Sequence, residues 1–266
     1  MDFEHAKRVG IAAAYSGAKV LTAHFGNICQ IERKGAFDLV TEADTGSEKQ
    51  IIKTIREAFP DHAILAEESG KEKGNSEYRW IIDPLDGTTN YAHRLPIFTI
   101  SIALALQDEI VFGLVLNPID GELFSAVAGK GAELNGESIT TSSTATVHDS
   151  LLATGFPYNF NEIIEPTMKQ FAVCQNASQG VRRLGSAALD ICYVACGRFD
   201  GFWEQNLNPW DMAAGALIAA EAGAMITDFS NQPFSIDQKE ILVTNGRIHQ
   251  EMLSLLGIEN QNPSQK

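Results

Sequence analysis

Apolar residues recur at helical spacing from residue 2 to residue 25 with no proline among them, so this stretch is predicted as an amphipathic helix. The same spacing runs through residues 41–59, with Thr41 placed to cap a helix and Pro60 to end it. Between them, residues 32–40 (ERKGAFDLV) are polar and read as a mobile loop. Short strands are predicted at residues 63–65 and 80–82, each delivering carboxylates at its end, Glu67 with Glu68 and Asp83 with Asp86. Residues 97–106, 110–116 and 123–127 are strand-like and separated by turn signals, which predicts an antiparallel meander. A Ser/Thr-rich connection at 140–150 follows. Beyond it the pattern alternates: a strand near Leu151, a helix over 161–176, a strand near Val181, a helix over 186–196, a strand over 199–203 and a helix over 210–222. A strand at 241–244 and a helix after Arg247 close the pattern. We expect one domain over residues 1–262, with a meander half at about 1–143, an α/β half at about 144–262, and a polar tail at 263–266.

Chemistry concentrates in residues 80–93, WIIDPLDGTTNYAH. Asp83 and Asp86 leave a strand end on a bend stiffened by Pro84. Two carboxylates so close repel each other, so either one is protonated or a cation lies between them; a hard ion such as magnesium suits an all-oxygen site. Gly87, Thr88 and Thr89 then offer backbone N–H groups at a helix start, where an anionic phosphate is held. An Asp-Gly pair is ordinarily a turn and an aspartate before a helix ordinarily a cap. Two acids flanking a proline exceed what a turn requires.

Composition narrows the function. With 266 residues and 44% hydrophobic content the chain can bury a sizeable core. A formal charge of −14 and a pI near 4.8 disfavour nucleic acid and anionic membranes as partners. No apolar run approaches the roughly 18 residues that span a bilayer, and the start, MDFEHAKRVG, lacks a secretory pattern. A cytoplasmic enzyme is expected. Cys29, Cys174, Cys192 and Cys196 form no CxxC pair and read as buried thiols rather than as a disulfide or zinc framework. His93 is the one histidine near the motif and reads as a surface or supporting residue. Arg182 and Arg183 read as a dimer contact or as surface ion pairs.

DLVTEAD, AEES, DPLDGTTN and WDMAAG occur in that order, and with them nearly the whole chain resembles the inositol monophosphatase family of magnesium-dependent, lithium-sensitive phosphatases. The resemblance implies a layered αβαβα sandwich of the sugar-phosphatase type, mixing α+β and α/β character, and a homodimer. It assigns Glu67, Asp83 and the Leu85 carbonyl to a first Mg2+, and Asp83, Asp86 and Asp211 to a second. Asp83 bridges, and a third, weaker ion leans on Glu67. By the same resemblance Thr88 orients a metal-activated water with Asp44 behind it, Asp86, Gly87 and Thr88 meet the phosphate, and Lys34 lies near the site. Gly185, Ser186, Ala187, Glu204 and Asp211 are expected to read a small phosphorylated polyol; Ser186 stands where the family commonly has threonine. Taken alone, Asp211 would be a helix cap, Asp44 part of a solvated acidic face and Lys34 a surface lysine. The TTN after DPLDG favours myo-inositol 1-phosphate as substrate. Fructose 1,6-bisphosphate, histidinol phosphate and 3'-phosphoadenosine 5'-phosphate remain alternatives, as does a regulatory binding role in transcription.

Overall fold

The structure, a computed structural model, describes residues 2–26, 31–33, 39–156 and 160–257. The expectations for Cys29, Lys34 and residues 263–266 fall outside them.

Helix α1 (Phe3–His24) is capped by Asp2, whose carboxylate accepts from the N–H groups of Glu4 and His5. Strands β1 (Ile31–Arg33) and β2 (Leu39–Thr41) then pair antiparallel, so the described flanks of the expected loop are extended and paired. They are followed by α2 (Glu42–Ala58), β3 (Ala63–Ala66), β4 (Gly70–Glu72), β5 (Tyr78–Asp86) and the short α3 (Thr88–Ala92). The meander is β6 (Thr99–Leu106), β7 (Glu109–Asn117), β8 (Glu122–Val127), β9 (Ala132–Leu134) and β10 (Glu137–Ile139). The rest comprises β11 (Leu151–Thr154), α4 (Phe160–Ala177), β12 (Gly180–Arg182), α5 (Ala187–Ala195) and β13 (Gly201–Gln205), then α6 (Pro209–Glu221), β14 (Met225–Thr227), β15 (Glu240–Thr244) and α7 (His249–Leu255). The strands the pattern did not predict, β1, β2, β4, β9, β10 and β14, have three residues each, too few to show a period.

Eight strands form one sheet in the order β10-β9-β8-β7-β6-β5-β3-β4, antiparallel except where β3 lies beside β5. Five form the other, β12-β11-β13-β15-β14. There β11 runs parallel to β12 and β13, but β15 is antiparallel to both its neighbours, so this sheet is mixed. Helices α1 and α2 cover the outer face of the large sheet, α5 and α6 fill the space between the sheets, and α4 and α7 cover the small sheet. The result is the αβαβα sandwich. Among the described residues no helix is long and apolar enough to cross a membrane.

Two local features position the site. A Cβ on Gly17 would stand 2.7 Å from Ser47 Oγ and 2.8 Å from Ile51 Cδ1, so glycine is what lets α1 and α2 approach closely. Strand β5, expected to stop before Pro84, continues through it, and its pairing with β6 slips between Asp83 and Asp86. The slip accommodates a proline that has no N–H for the ladder. The Ser47 hydroxyl of α2 donates to the Pro84 carbonyl at 3.1 Å, tying the irregular strand end to the helix layer.

Candidate active site

At the end of β5 a cavity of about 260 Å3 opens between the two sheets. Its lining includes Glu67, Asp83, Leu85, Asp86, Gly87, Thr88, Gly185, Ala187, Glu204 and Asp211, so the structure brings together most of the residues expected to act. Ser186 is buried beside it, and Lys34 is outside the described residues.

The acids arrive on several elements, Asp83 and Asp86 on β5, Glu67 just after β3 and Asp211 on α6. Asp83 is buried, and its Oδ1 accepts the N–H of Leu85 at 2.9 Å, folding the carboxylate back over the strand slip. Glu67 follows β3, and its N–H donates to the Ile82 carbonyl at 3.1 Å, which ties the two strand ends together. Asp86 Oδ2 accepts both the Ser186 hydroxyl, at 2.7 Å, and the Ala188 N–H, at 2.8 Å. Ser186 therefore occupies the N-cap of α5 but spends its hydroxyl on Asp86 instead of on its own helix. Asp211 was expected either as a cap or as a ligand. Asn208 is the N-cap of α6, and Asp211, in the first turn, accepts the Asn208 N–H at 2.7 Å while facing the cavity.

The acids crowd one another. Burial, followed by repulsion from Glu67, Asp86 and Asp211, holds the Asp83 carboxyl well above the usual carboxylate range. Burial raises Asp86 to about 6 despite its four hydrogen-bond donors. Asp211 is pushed up to about 8, and so is Glu204, in both cases mainly by burial and further by Asp86. A divalent cation relieves such crowding, and an all-oxygen set of carboxylates with one backbone carbonyl, Leu85, is hard-cation chemistry that fits magnesium. Among the described residues no three His, Cys, Asp or Glu side chains already stand as a closed metal cage. Magnesium does not demand one, because it keeps waters and shares the phosphate of its substrate.

Thr88 hangs between two acceptors. Its hydroxyl lies 3.2 Å from Asp44 Oδ1 and 3.1 Å from the Leu85 carbonyl oxygen, and its one proton serves either. Asp44 is 1% exposed, so the solvated acidic face is excluded. One helical turn later Glu48, also buried, accepts the N–H groups of Glu68 at 2.8 Å and Ser69 at 2.9 Å. Thus one face of α2 fixes both Thr88 and the backbone beside Glu67. Glu48 escaped the sequence reading, although its spacing from Asp44 was a usable signal.

Across the cavity the fold adds residues that no motif announced: Gly155, Phe156, Arg183, Asn206, Leu207, Asn208 and Lys239. Glu204, the penultimate residue of β13, packs so closely over Gly155 that a Cβ there would overlap its carboxylate. Arg183 was expected at the surface or in a dimer contact. Both Arg182 and Arg183 are exposed, and the Arg183 guanidinium also lies over the Phe156 ring, 5.7 Å from the centroid, at the rim of the cavity. The Asn90 side chain, the N of DPLDGTTN, donates to the carbonyls of Ile97 and Leu184 at 2.8 Å each and so clamps the turn after Asp86 to the loop before Gly185. Gly87 has φ +100°, and a Cβ on it would lie 3.0 Å from the Ile97 carbonyl oxygen, so glycine is required at this crossing. His93 is exposed at the end of α3, and Cys174 and Cys192 are buried free thiols.

Comparison with known proteins agrees with this geometry. The sequence profile described as the inositol monophosphatase family matches residues 2–260. The chain is 46% identical over 252 residues to an inositol-1-monophosphatase of Synechocystis sp., covering 94% of this chain and 88% of that protein. It is 39% identical over 235 residues to the Nus factor SuhB of Pseudomonas aeruginosa, covering 86% and 87%. The solved inositol monophosphatase of Anabaena (Nostoc) sp. superposes with a TM-score of 0.88 at 40% identity, covering 97% of each chain. Motif order, layered fold and a cavity walled by crowded acids all agree, and the chain belongs to the inositol monophosphatase family.

Proposed function

We propose that this chain hydrolyses a small phosphate monoester, myo-inositol 1-phosphate above all, to the free alcohol and phosphate. The observation that supports this most directly is the crowding of Glu67, Asp83, Asp86 and Asp211 at one wall with Glu204 opposite. In this reading Glu67, Asp83, the Leu85 carbonyl, Asp86 and Asp211 hold two to three magnesium ions. When bound, magnesium supplies the positive charge that offsets the phosphate and stabilises charge developing on its oxygens.

The remaining roles belong to the chain. Thr88, oriented by Asp44 and the Leu85 carbonyl, presents its hydroxyl to the cavity, where it aims a water at phosphorus. The first turn of α3, beginning at Gly87 and Thr88, directs backbone N–H groups toward phosphate oxygens. Asp86, pinned by Ser186 and Ala188, keeps one edge of the phosphate site rigid. Glu204 and Asp211 accept hydrogen bonds from hydroxyls of the leaving alcohol, beside Gly185 and Ala187. Phosphate monoesters resist hydrolysis so strongly that fixed charge around phosphorus contributes more than any single acid or base.

The test is hydrolysis of myo-inositol 1-phosphate with a magnesium titration, against fructose 1,6-bisphosphate, histidinol phosphate and 3'-phosphoadenosine 5'-phosphate. A preference for any of the last three overturns the substrate assignment. Inhibition by lithium, a cytoplasmic location and a homodimer belong to the same reading, the last checked by sedimentation.

The likeness to the Nus factor SuhB supports a second reading, a regulatory binding role in transcription. A pulldown with Asp83→Asn separates the two, since partner capture that persists without turnover supports the added role.

A further inference from the structure

The turn that joins the two alcohol-side acids carries an asparagine in a conformation that suits glycine. Between Glu204 in β13 and Asp211 in α6 the chain passes through Asn206, which is exposed, lines the cavity and has φ +65°. Among the described residues five non-glycines take a positive φ, and Asn206 is the one that lines this cavity. Its neighbours fix the turn from both sides. Gln205 stands opposite Glu240 in the pairing of β13 with β15, and its side-chain amide donates to Thr167 Oγ1 of α4 at 3.0 Å. The Leu207 N–H donates to the Lys239 carbonyl at 2.9 Å while the Leu207 side chain is buried, and Asn208 caps α6. Glycine would take the left-handed conformation at 206 without steric cost, whereas a side chain strains it. At Asn135, in the two-residue link between β9 and β10, the turn alone accounts for asparagine. At 206 the same residue type stands on the wall of the site.

We propose that Asn206 is a specificity-determining residue: its carboxamide N–H donates to a hydroxyl oxygen of the leaving alcohol, beside the acceptors Glu204 and Asp211. This deepens the proposed phosphatase function and rests on it. A polyol hydroxyl both donates and accepts, whereas a carboxylate only accepts, so acids alone satisfy half of what the alcohol offers. An amide in the turn between the two acids supplies the other half without adding charge. An alcohol that lacks the hydroxyl loses the contact, and the phosphate end, built on β5 and α3, does not depend on it.

The experiment compares wild type, Asn206→Gly and Asn206→Asp on two esters, myo-inositol 1-phosphate and p-nitrophenyl phosphate, whose leaving group has no ring hydroxyls to read. Glycine keeps the backbone of the turn and removes only the carboxamide, so the thermal midpoint should stay within about 2 °C of wild type. The ratio of kcat/KM for the inositol ester over the aryl ester should nevertheless fall about fivefold, through KM of the inositol ester. Asn206→Asp has the same shape and tolerates the same turn, and it should lower the ratio at least as far, because a carboxylate cannot donate. An unchanged ratio in Asn206→Gly, whatever its midpoint, overturns the proposal, as do equal losses on both esters or a wild-type ratio in Asn206→Asp. Wild type hydrolysing neither ester would sink the phosphatase reading, and calorimetric titration with intact myo-inositol 1-phosphate would then decide the contact: about fivefold weaker binding by Asn206→Gly supports it, and equal binding or none overturns it.

Discussion

The two walls of the cavity are built differently. The wall proposed to face the phosphate comes mostly from one segment, Asp83 to Asn90, joined by Glu67 and Asp211 and braced from behind by Asp44 and Ser47 of α2. The alcohol-facing wall is assembled from four separate places, Gly155 with Phe156, Arg183 with Gly185, Glu204 with Asn206, and Lys239. A segment wall keeps its geometry through short-range backbone constraints: a strand slip, a proline, and a glycine at φ +100°. An assembled wall depends on how layers pack, so it can differ between relatives while the phosphate wall stays the same. The contrast teaches where reaction type and substrate choice are encoded.

The largest expected effect strikes the segment wall. Asp86→Ala removes a proposed magnesium ligand and the acceptor of both Ser186 and Ala188. It should cut kcat/KM for myo-inositol 1-phosphate by about 10³-fold or more with the circular dichroism spectrum unchanged. Wild-type turnover at limiting magnesium would break the comparison. Thr88→Ala should cost about 10²-fold in kcat with little change in KM, and Thr88→Ser should recover most of it. A loss appearing mainly in KM would move Thr88 from aiming water to binding substrate.

The assembled wall is tested by Gly155→Ala. Because the new methyl overlaps the Glu204 carboxylate, that side chain must leave its place. KM for the inositol ester should rise about tenfold, while p-nitrophenyl phosphate is hydrolysed with about twofold change or less. Equal losses on both esters would mean that the two walls are not separable.

The smallest effect lies away from both walls and concerns stability alone. His249 is buried between the hydroxyls of Thr227, 3.1 Å from Nε2, and Thr244, 2.9 Å from Nδ1, and burial lowers its pKa from 6.5 to about 4. Between pH 6.5 and 4 the unfolded chain takes up a proton that the folded chain refuses. The stability contributed by neutral His249 is therefore full above pH 6.5 and is lost as pH falls toward 4, by about 2 kcal/mol. Urea unfolding of His249→Gln across this window should show a shallower loss than wild type. Identical slopes would assign the loss to other groups.

Legibility followed the same divide. The long helices and the meander strands show clear periods and fall close to the expected positions, whereas three-residue strands such as β9 and β10 carry too little pattern to find. Asp83, Asp86 and Thr88 could be singled out because neighbours in sequence on a bend are neighbours in space. Taken alone Asp44 read as part of a solvated acidic face, because its helix does not reveal the Thr88 hydroxyl beside it, and only the family resemblance set it behind Thr88. Arg183 is exposed as expected, but nothing local in the sequence says that a cavity lies beside it.

By itself the sequence determined the bend proposed as the reaction end: a pair of aspartates about a proline, then a glycine and a threonine, all held by short-range covalent geometry. Tertiary structure alone decided the rest. It buried Asp44 against that bend and Glu48 under the backbone of Glu68 and Ser69, crowded Asp211 and Glu204 toward Asp83 and Asp86, and brought Arg183 over Phe156. The physical reason is that burial and charge repulsion depend on distances between layers, and those distances exist only after the two sheets have closed on α5 and α6.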